Sequence, residues 1–271
     1  MKVALIQTRT PATQGAALAH VLPLVREAAG QGAVLIATPE GTNLLQKDKA
    51  ALLPLLRTPQ EDPVVQGLCE AARTLGVTIL IGSALVKRQD GKAANRSMLV
   101  TPKGEIAATY DKLHMFDVDL PTGERSRESE TYEPGDRAVV ADAAGARVGM
   151  TVCYDLRFPA LYRALALAGA EVMTIPAAFT RPTGQAHWEV LIRARAIETG
   201  SFVLAPAQGG RHEDGRGTWG RSIVVGPWGE VIGLLDHDEP GVLVADLDLF
   251  GVTRARAAIP ALANARDFQG P

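Results

Sequence analysis

Short apolar, β-branched runs alternate with helix-period patterns along this chain. Runs at 2–8, 34–38, 77–85, 97–101, 106–111, 147–152, 171–175, 202–206, 222–225 and 242–247 read as strands. Between them, Ala17, Val21, Leu24, Val25 and Ala28 fall on one face of a helix over 13–29, which Gly30 and Gly32 stop. Val65, Leu68, Ala72 and Leu75 mark a second helix closed by Gly76. A third follows Phe158-Pro159 and ends at Gly169, and a fourth covers 186–199. Turn signals at Thr101-Pro102-Lys103-Gly104 and Gly226-Pro227-Trp228-Gly229 each join two apolar runs, so hairpins stand beside β-α units and the sheets are mixed. The polar stretch 122–136, TGERSRESETYEPGD, is the one long charged loop. With no composition break and no fixed-period repeat, residues 1–271 read as a single α/β domain.

Composition narrows the partners. Lys+Arg 28 against Asp+Glu 30 gives a net charge of −2, which argues against a broad nucleic-acid or anionic-membrane surface. No stretch approaches the roughly 18 apolar residues of a membrane span. The first residues, MKVALIQTRT, hold an apolar run from Val3 to Ile6 only, short of the roughly 7–15 residues of an export signal. They read as a strand, and the expected compartment is the cytoplasm. Two cysteines, Cys69 and Cys153, form no CxxC pair and no metal-ligand spacing.

Three residues suited to thiol chemistry stand at strand ends. Cys153 follows the run RVGMTV and precedes a helix, the kind of turn on which α/β enzymes lift a nucleophile off the sheet. Alone it reads as readily as a small buried side chain. Glu40 closes VLIATPE and Lys112 closes IAATYDK; each alone is more often a solvated strand end. Cys69, on the apolar stripe of the second helix, reads as structural.

PEG at 39–41, YDKLHMFD at 110–117 and GMTVCYDLRFP at 149–159 resemble, in order and content, the three motifs of the nitrilase or carbon–nitrogen hydrolase superfamily. The similarity runs from VALIQ at 3–7 to the glycine- and tryptophan-rich region at 219–231. The resemblance implies a four-layer α-β-β-α sandwich and a triad: Glu40 as general base, Lys112 as cation, Cys153 as nucleophile. It implies a second glutamate in the charged loop, and spacing to Pro134-Gly135 favours Glu128 over Glu130. It also implies no metal or organic cofactor, and pairing of helices across a homodimer or higher homo-oligomer.

Within the superfamily, residues 177–198 and AQGGRH at 207–212 look most like the deaminated glutathione amidases. The implied substrate is a small carboxylate-bearing amide, with the Tyr154 N–H at the oxyanion. Thr180 and His187 line the pocket on this reading, and Arg157, Arg181 and Arg211 are candidates for substrate carboxylates, Arg157 alternatively pairing with Asp155. An ω-amidase acting on α-ketoglutaramate or succinamate is the alternative, and a non-catalytic binding subunit on the same fold is the reading from another class. The glycines at 209, 210, 215, 217 and 220 fit no phosphate loop and read as a flexible loop near the pocket.

Overall fold

Strand β1 (Lys2–Gln7) turns the period-two pattern into two buried faces. Val3 and Leu5 enter one apolar core, and Ala4 and Ile6 enter another. The structure, a computed structural model, describes residues 1–88, 90, 92–120, 123 and 125–270. The chain continues through α1 (Gln14–Gly30), β2 (Leu35–Ala37), α2 (Lys49–Leu52), α3 (Pro63–Leu75), β3 (Thr78–Lys87), β4 (Ala93–Val100) and β5 (Ile106–Asp111). A small ladder of β6 (Asp117–Asp119) and β7 (Arg125–Arg127) leads to β8 (Val139–Ala143), β9 (Ala146–Met150), α4 (Pro159–Leu167), β10 (Val172–Thr174), α5 (Arg181–Thr199) and β11 (Phe202–Ala205). A second ladder, β12 (Gly209–Arg211) with β13 (Gly217–Trp219), precedes β14 (Ile223–Val225), β15 (Val231–Leu234), β16 (Gly241–Asp246) and α6 (Phe250–Ala258).

Two six-stranded mixed sheets result, ordered β16-β1-β2-β3-β4-β5 and β15-β14-β11-β10-β9-β8. In each, three neighbouring strands run parallel (β1, β2, β3 and β9, β10, β11) and antiparallel strands flank them. Parallel strands need crossovers, and the two in each sheet carry the long helices. Val21 and Val25 of α1 and Val64 and Leu68 of α3 pack on Ala4, Ile6, Ile36 and Ile79 of the first sheet. Tyr162 and Leu165 of α4 and Ile192 and Ala196 of α5 cover the second. Leu5, Leu35, Leu80 and Leu99 face Val148, Met150 and Leu204 between the sheets. The layers are therefore α-β-β-α, with both sheets buried on both faces.

Local chemistry sets the helix ends. Asp62 caps α3 through the N–H groups of Val64 and Val65, Pro63 takes the first turn, and Gly76 closes it at φ +68°. Helix α5 begins at Arg181, earlier than the periodicity predicts, because Pro182-Thr183-Gly184 at its start carries no apolar stripe. Strands β8 and β15 and helices α2 and α6 leave no clear periodic mark in the sequence, being short or half-exposed. The glycine-rich stretch is ordered as the β12-β13 ladder. The charged loop contains β7 and a 3₁₀ turn over Glu128–Glu130; its Thr122 and Glu124 lie outside the described residues. Cys69 is half-buried, at the margin of the outer core.

Candidate active site

Both sheets present C-terminal strand ends at one edge, where α/β folds bind ligands. Glu40 lies three residues past β2, Lys112 one past β5 and Cys153 three past β9. The Lys112 ammonium sits between two carboxylates, 3.0 Å from Glu40 Oε1 and 2.8 Å from Glu128 Oε2. The Cys153 thiol lies beside Glu40 on the wall of one cavity, and Glu40 Oε2 accepts from the Ala178 N–H at 2.9 Å. Glu128 Oε2 accepts a further bond from the Phe116 N–H at 2.7 Å. Glu130 is exposed and stands outside this cluster, its carbonyl accepting from Lys49.

Cys153 holds φ +50°, a left-handed conformation that costs a non-glycine residue about 1–2 kcal/mol. Its own N–H donates to Pro176 O at 2.9 Å, and Asp155 holds the turn from below. The Asp155 carboxylate is fully buried and accepts from Val152 N–H (2.8 Å), Tyr110 Oη (2.6 Å) and His114 N–H (3.1 Å), with His114 Nδ1 at 2.7 Å. Tyr110 and His114 flank Lys112 in sequence, so one buried carboxylate ties the Cys153 turn to the strand end that carries the lysine. Burial and the Asp155 charge both push the Tyr110 phenol up, which keeps it a donor.

Burial by itself would raise the Glu40 carboxyl, but the Lys112 ammonium and bonds from Cys153, Lys112 and Asn95 hold it below the ordinary range. Burial opposes the Lys112 charge, and Glu128 and Glu40 more than reverse this, holding it well above the usual lysine value. Burial, then the Glu40 charge, push the Cys153 thiol well up, with Lys112 pulling only partly back. At neutral pH the trio is a carboxylate, an ammonium and a thiol, so an ionised base stands beside a protonated sulfur. The cluster opens into a cavity of about 620 Å³. Among the described residues no group of three His, Cys, Asp or Glu side chains is arranged to hold a metal ion.

Residues 2–257 match the family described as Carbon-nitrogen hydrolase. The chain belongs to the carbon–nitrogen hydrolase family. This hydrolase is 43% identical over 238 residues to the deaminated glutathione amidase of Yersinia enterocolitica, covering 87% of this chain and 82% of that one. It is 41% identical over 249 residues to the human deaminated glutathione amidase, covering 90% and 75%. Among solved structures, the C. elegans NitFhit protein superposes with TM-score 0.91 at 29% identity over 98% of this chain and 65% of that longer one. A Glu-to-Gln mutant of the amidase from Nesterenkonia sp. AN1, in which acrylamide has added to the active-site cysteine, gives TM-score 0.80 at 27% identity over 96% and 98%. The hydrolase acts on carbon–nitrogen bonds other than peptide bonds, and it has the four-layer sandwich of its family.

The cavity of the hydrolase sorts the remaining sequence candidates. Tyr154, Arg157 and Thr180 line it. Arg157 lies over the rings of Tyr154 and Phe179, 5.9 and 5.5 Å from their centroids, and makes no pair with Asp155, whose oxygens are taken by Tyr110, His114 and Val152. Arg181, Arg211 and His187 are not among the residues that line the cavity in this structure. Arg181 is ion-paired to Asp238, Arg211 is exposed on β12, and His187 is exposed with Nδ1 3.3 Å from Arg157. A cation's reach depends on which loop folds over the site, and spacing along the chain does not encode that.

Several site residues are not apparent from the sequence motifs. Asn95 donates through Nδ2 to Glu40 Oε1 (2.8 Å) and Glu128 Oε1 (3.2 Å). Turning this amide over would set its oxygen against two carboxylates, so the orientation is fixed. A usable signal existed, because Asn95 shares a β4 face with Leu99, and an inward Asn on a buried strand requires partners. Gln208 Nε2 donates to the Glu40 carbonyl at 2.9 Å and so holds the general-base candidate by its backbone. No motif singles Gln208 out. Lys47, Tyr132 and Arg216 also line the cavity.

Proposed function

We propose that this chain hydrolyses deaminated glutathione to α-ketoglutarate and cysteinylglycine through a Cys153 acyl-enzyme. The observation that carries the reading is the Lys112 ammonium bridging Glu40 and Glu128 in the cavity that Cys153 also lines. Glu40 takes the thiol proton as sulfur attacks the amide carbonyl. The developing oxyanion is met by Lys112 and by the Tyr154 N–H, which has no acceptor among the described residues; one such donor is worth about 3–4 kcal/mol. Glu40 passes its proton to the departing amine of cysteinylglycine, leaving a thioester. Glu40 then draws a proton from water, whose oxygen displaces the thiolate as the acid forms, and the thiol regains its proton. Glu128 and Asn95 act by orienting Lys112 and Glu40.

The resemblance of residues 177–198 to deaminated glutathione amidases, and the names of the relatives at 41–43% identity, support this substrate over simpler ω-amides. Arg157 beside Tyr154 suits the carboxylate of the acyl half, since a guanidinium fork matches a carboxylate. Cytoplasmic residence is part of the proposal, and two free thiols fit a reducing compartment. Among the described residues no helix is long and apolar enough to cross a membrane. Homodimer formation is also proposed, supported by the exposed Ile197, Trp228 and Ile259 around a second, apolar cleft.

The test compares kcat/KM for deaminated glutathione and α-ketoglutaramate by α-ketoglutarate release, in wild type and Cys153→Ala. The variant should lose turnover while far-UV circular dichroism is unchanged. A wild-type preference for α-ketoglutaramate of tenfold, about 1.4 kcal/mol, replaces this substrate with the ω-amidase reading.

A further inference from the structure

Five cations besides Lys112 border the cavity: Lys47, Arg125, Arg127, Arg157 and Arg216. Arg125 and Arg127 are both engaged by Asp119. Arg157 lies against Tyr154, next to the nucleophile. Lys47 and Arg216 come together from distant segments of chain. A Cβ built on Gly215 would stand 3.6 Å from Lys47 Nζ, which puts the ammonium at the residue preceding Arg216.

Neither cation is used up by the protein. Arg216 spends Nε and Nη2 on one oxygen, Asp214 Oδ2, both at 2.7 Å, and its Nη1 has no partner among the described residues. The Asp214 side chain is buried, so the guanidinium is pinned at the β12-β13 turn. Lys47 has no carboxylate partner among the described residues, and its segment is anchored on either side. Leu44, Leu52 and Leu56 pack with Leu85 and Ala93 in a satellite core that the Tyr132 ring joins. Lys49 donates to the Glu130 carbonyl from the same segment. Tyr132 lines the same cavity as the triad and both cations, and the charges of Glu128, Arg216, Glu40 and Lys112 all act on its buried phenol.

We propose that Lys47 and Arg216 form a second anion subsite of this cavity, which takes the distal carboxylate of an extended amide substrate. The inference rests on the amide-hydrolase reading above and assigns its substrate a second charged end. A two-cation pole separate from Arg157 fits a molecule with one carboxylate on the acyl half and one at the far end of the leaving group. Lys47 is exposed, so its share is screened and modest, and the half-buried Arg216 fork supplies the directional part.

The experiment uses deaminated glutathione and the same compound with its glycine carboxylate converted to the carboxamide. The wild-type enzyme should favour the carboxylate form in kcat/KM, chiefly through KM. Lys47→Glu should cut that preference about tenfold, and Lys47→Arg should keep it. Arg216→Gln should also cut it; because Asp214 then loses its partner, thermal unfolding is measured beside it. A preference absent in wild type, or unchanged in Lys47→Glu, overturns the subsite. The ratio is readable even at low rates. Weak turnover of both compounds against fast turnover of α-ketoglutaramate therefore counts against the substrate reading, while the ratio between the two compounds still decides the subsite.

Discussion

Glu40 is charged in the resting site because Lys112 and its hydrogen bonds outweigh its burial, and Cys153 is protonated because burial and then the Glu40 charge disfavour a thiolate. Activity should then require the Glu40 carboxylate and be lost only as it takes a proton. Its value lies below the 4.5 of a free carboxyl, so the acid limb of kcat/KM should be centred below that pH. On the basic side the raised thiol predicts a plateau through about pH 9, with no gain near the ordinary thiol range of about 8.5. Initial rates between pH 4 and 9, taken while circular dichroism shows the fold intact, check both limbs. An acid limb near pH 6 would mean that a different group, or a neutral Glu40, sets the rate.

A bulge in β3 fixes where Glu40 stands. The β3-β4 register shifts between Ile81 and Ala84, and the displaced residues grip the turn beyond β2. Ser83 Oγ accepts from the Gly41 N–H at 2.9 Å, the Ser83 N–H donates to Pro39 O at 3.1 Å, and the Gly82 N–H donates to Thr38 Oγ1 at 3.1 Å. The approach at Gly82 leaves no room for a side chain: an added Cβ would overlap Thr38 O and sit 2.5 Å from Pro176 Cβ. Gly82→Ala must move the Thr38–Glu40 backbone, and a shift of about 1 Å in a catalytic group costs on the order of 100-fold in rate. Steady-state kinetics beside urea denaturation check this. Activity within twofold of wild type would show that the Glu40 position tolerates movement of its turn.

The two sheets are joined by buried polar groups as well as by the shared apolar core. Gln7 of β1 accepts from the Ser222 N–H and hydroxyl, and Gln208 bonds Thr8, Thr10 and the Glu40 carbonyl. His212 is buried beside this network, with Nε2 2.7 Å from Thr218 Oγ1 and Nδ1 unpartnered among the described residues. Burial, then the Arg216 charge, pull its imidazole down to about 4, whereas an unfolded histidine titrates near 6.5. Between those two pH values the unfolded chain binds a proton that the native one refuses, so stability falls as pH falls across that window. The loss from this group is about 3 kcal/mol by pH 4, with no further loss below it. Urea unfolding at pH 7.5, 6, 5 and 4 should show the slope, and His212→Gln should flatten it. An identical slope in that variant would assign the acid sensitivity elsewhere.

The sequence by itself determined the α/β alternation, and through the resemblance of its motifs it implied the layers and the candidate triad. The alternation of Val3 and Leu5 against Ala4 and Ile6 demands a sheet covered on both sides, and the β-α spacing demands crossovers, because burial is the dominant force and leaves a periodic mark. Glu40, Lys112 and Cys153 each end an apolar strand, which alone did not distinguish them; the resemblance of the motifs around them made them the candidate triad. Tertiary structure alone decided which cations line the cavity. Arg181 was drawn to Asp238 and Arg211 to solvent, and Lys47 and Arg216 met across a chain separation that no local pattern records. Asn95 and Gln208 were likewise placed by what faces them. Exposed cations and inward amides carry no periodicity of their own. Their partners are set by how loops from separate strand ends come together, and that contact exists only in the folded molecule.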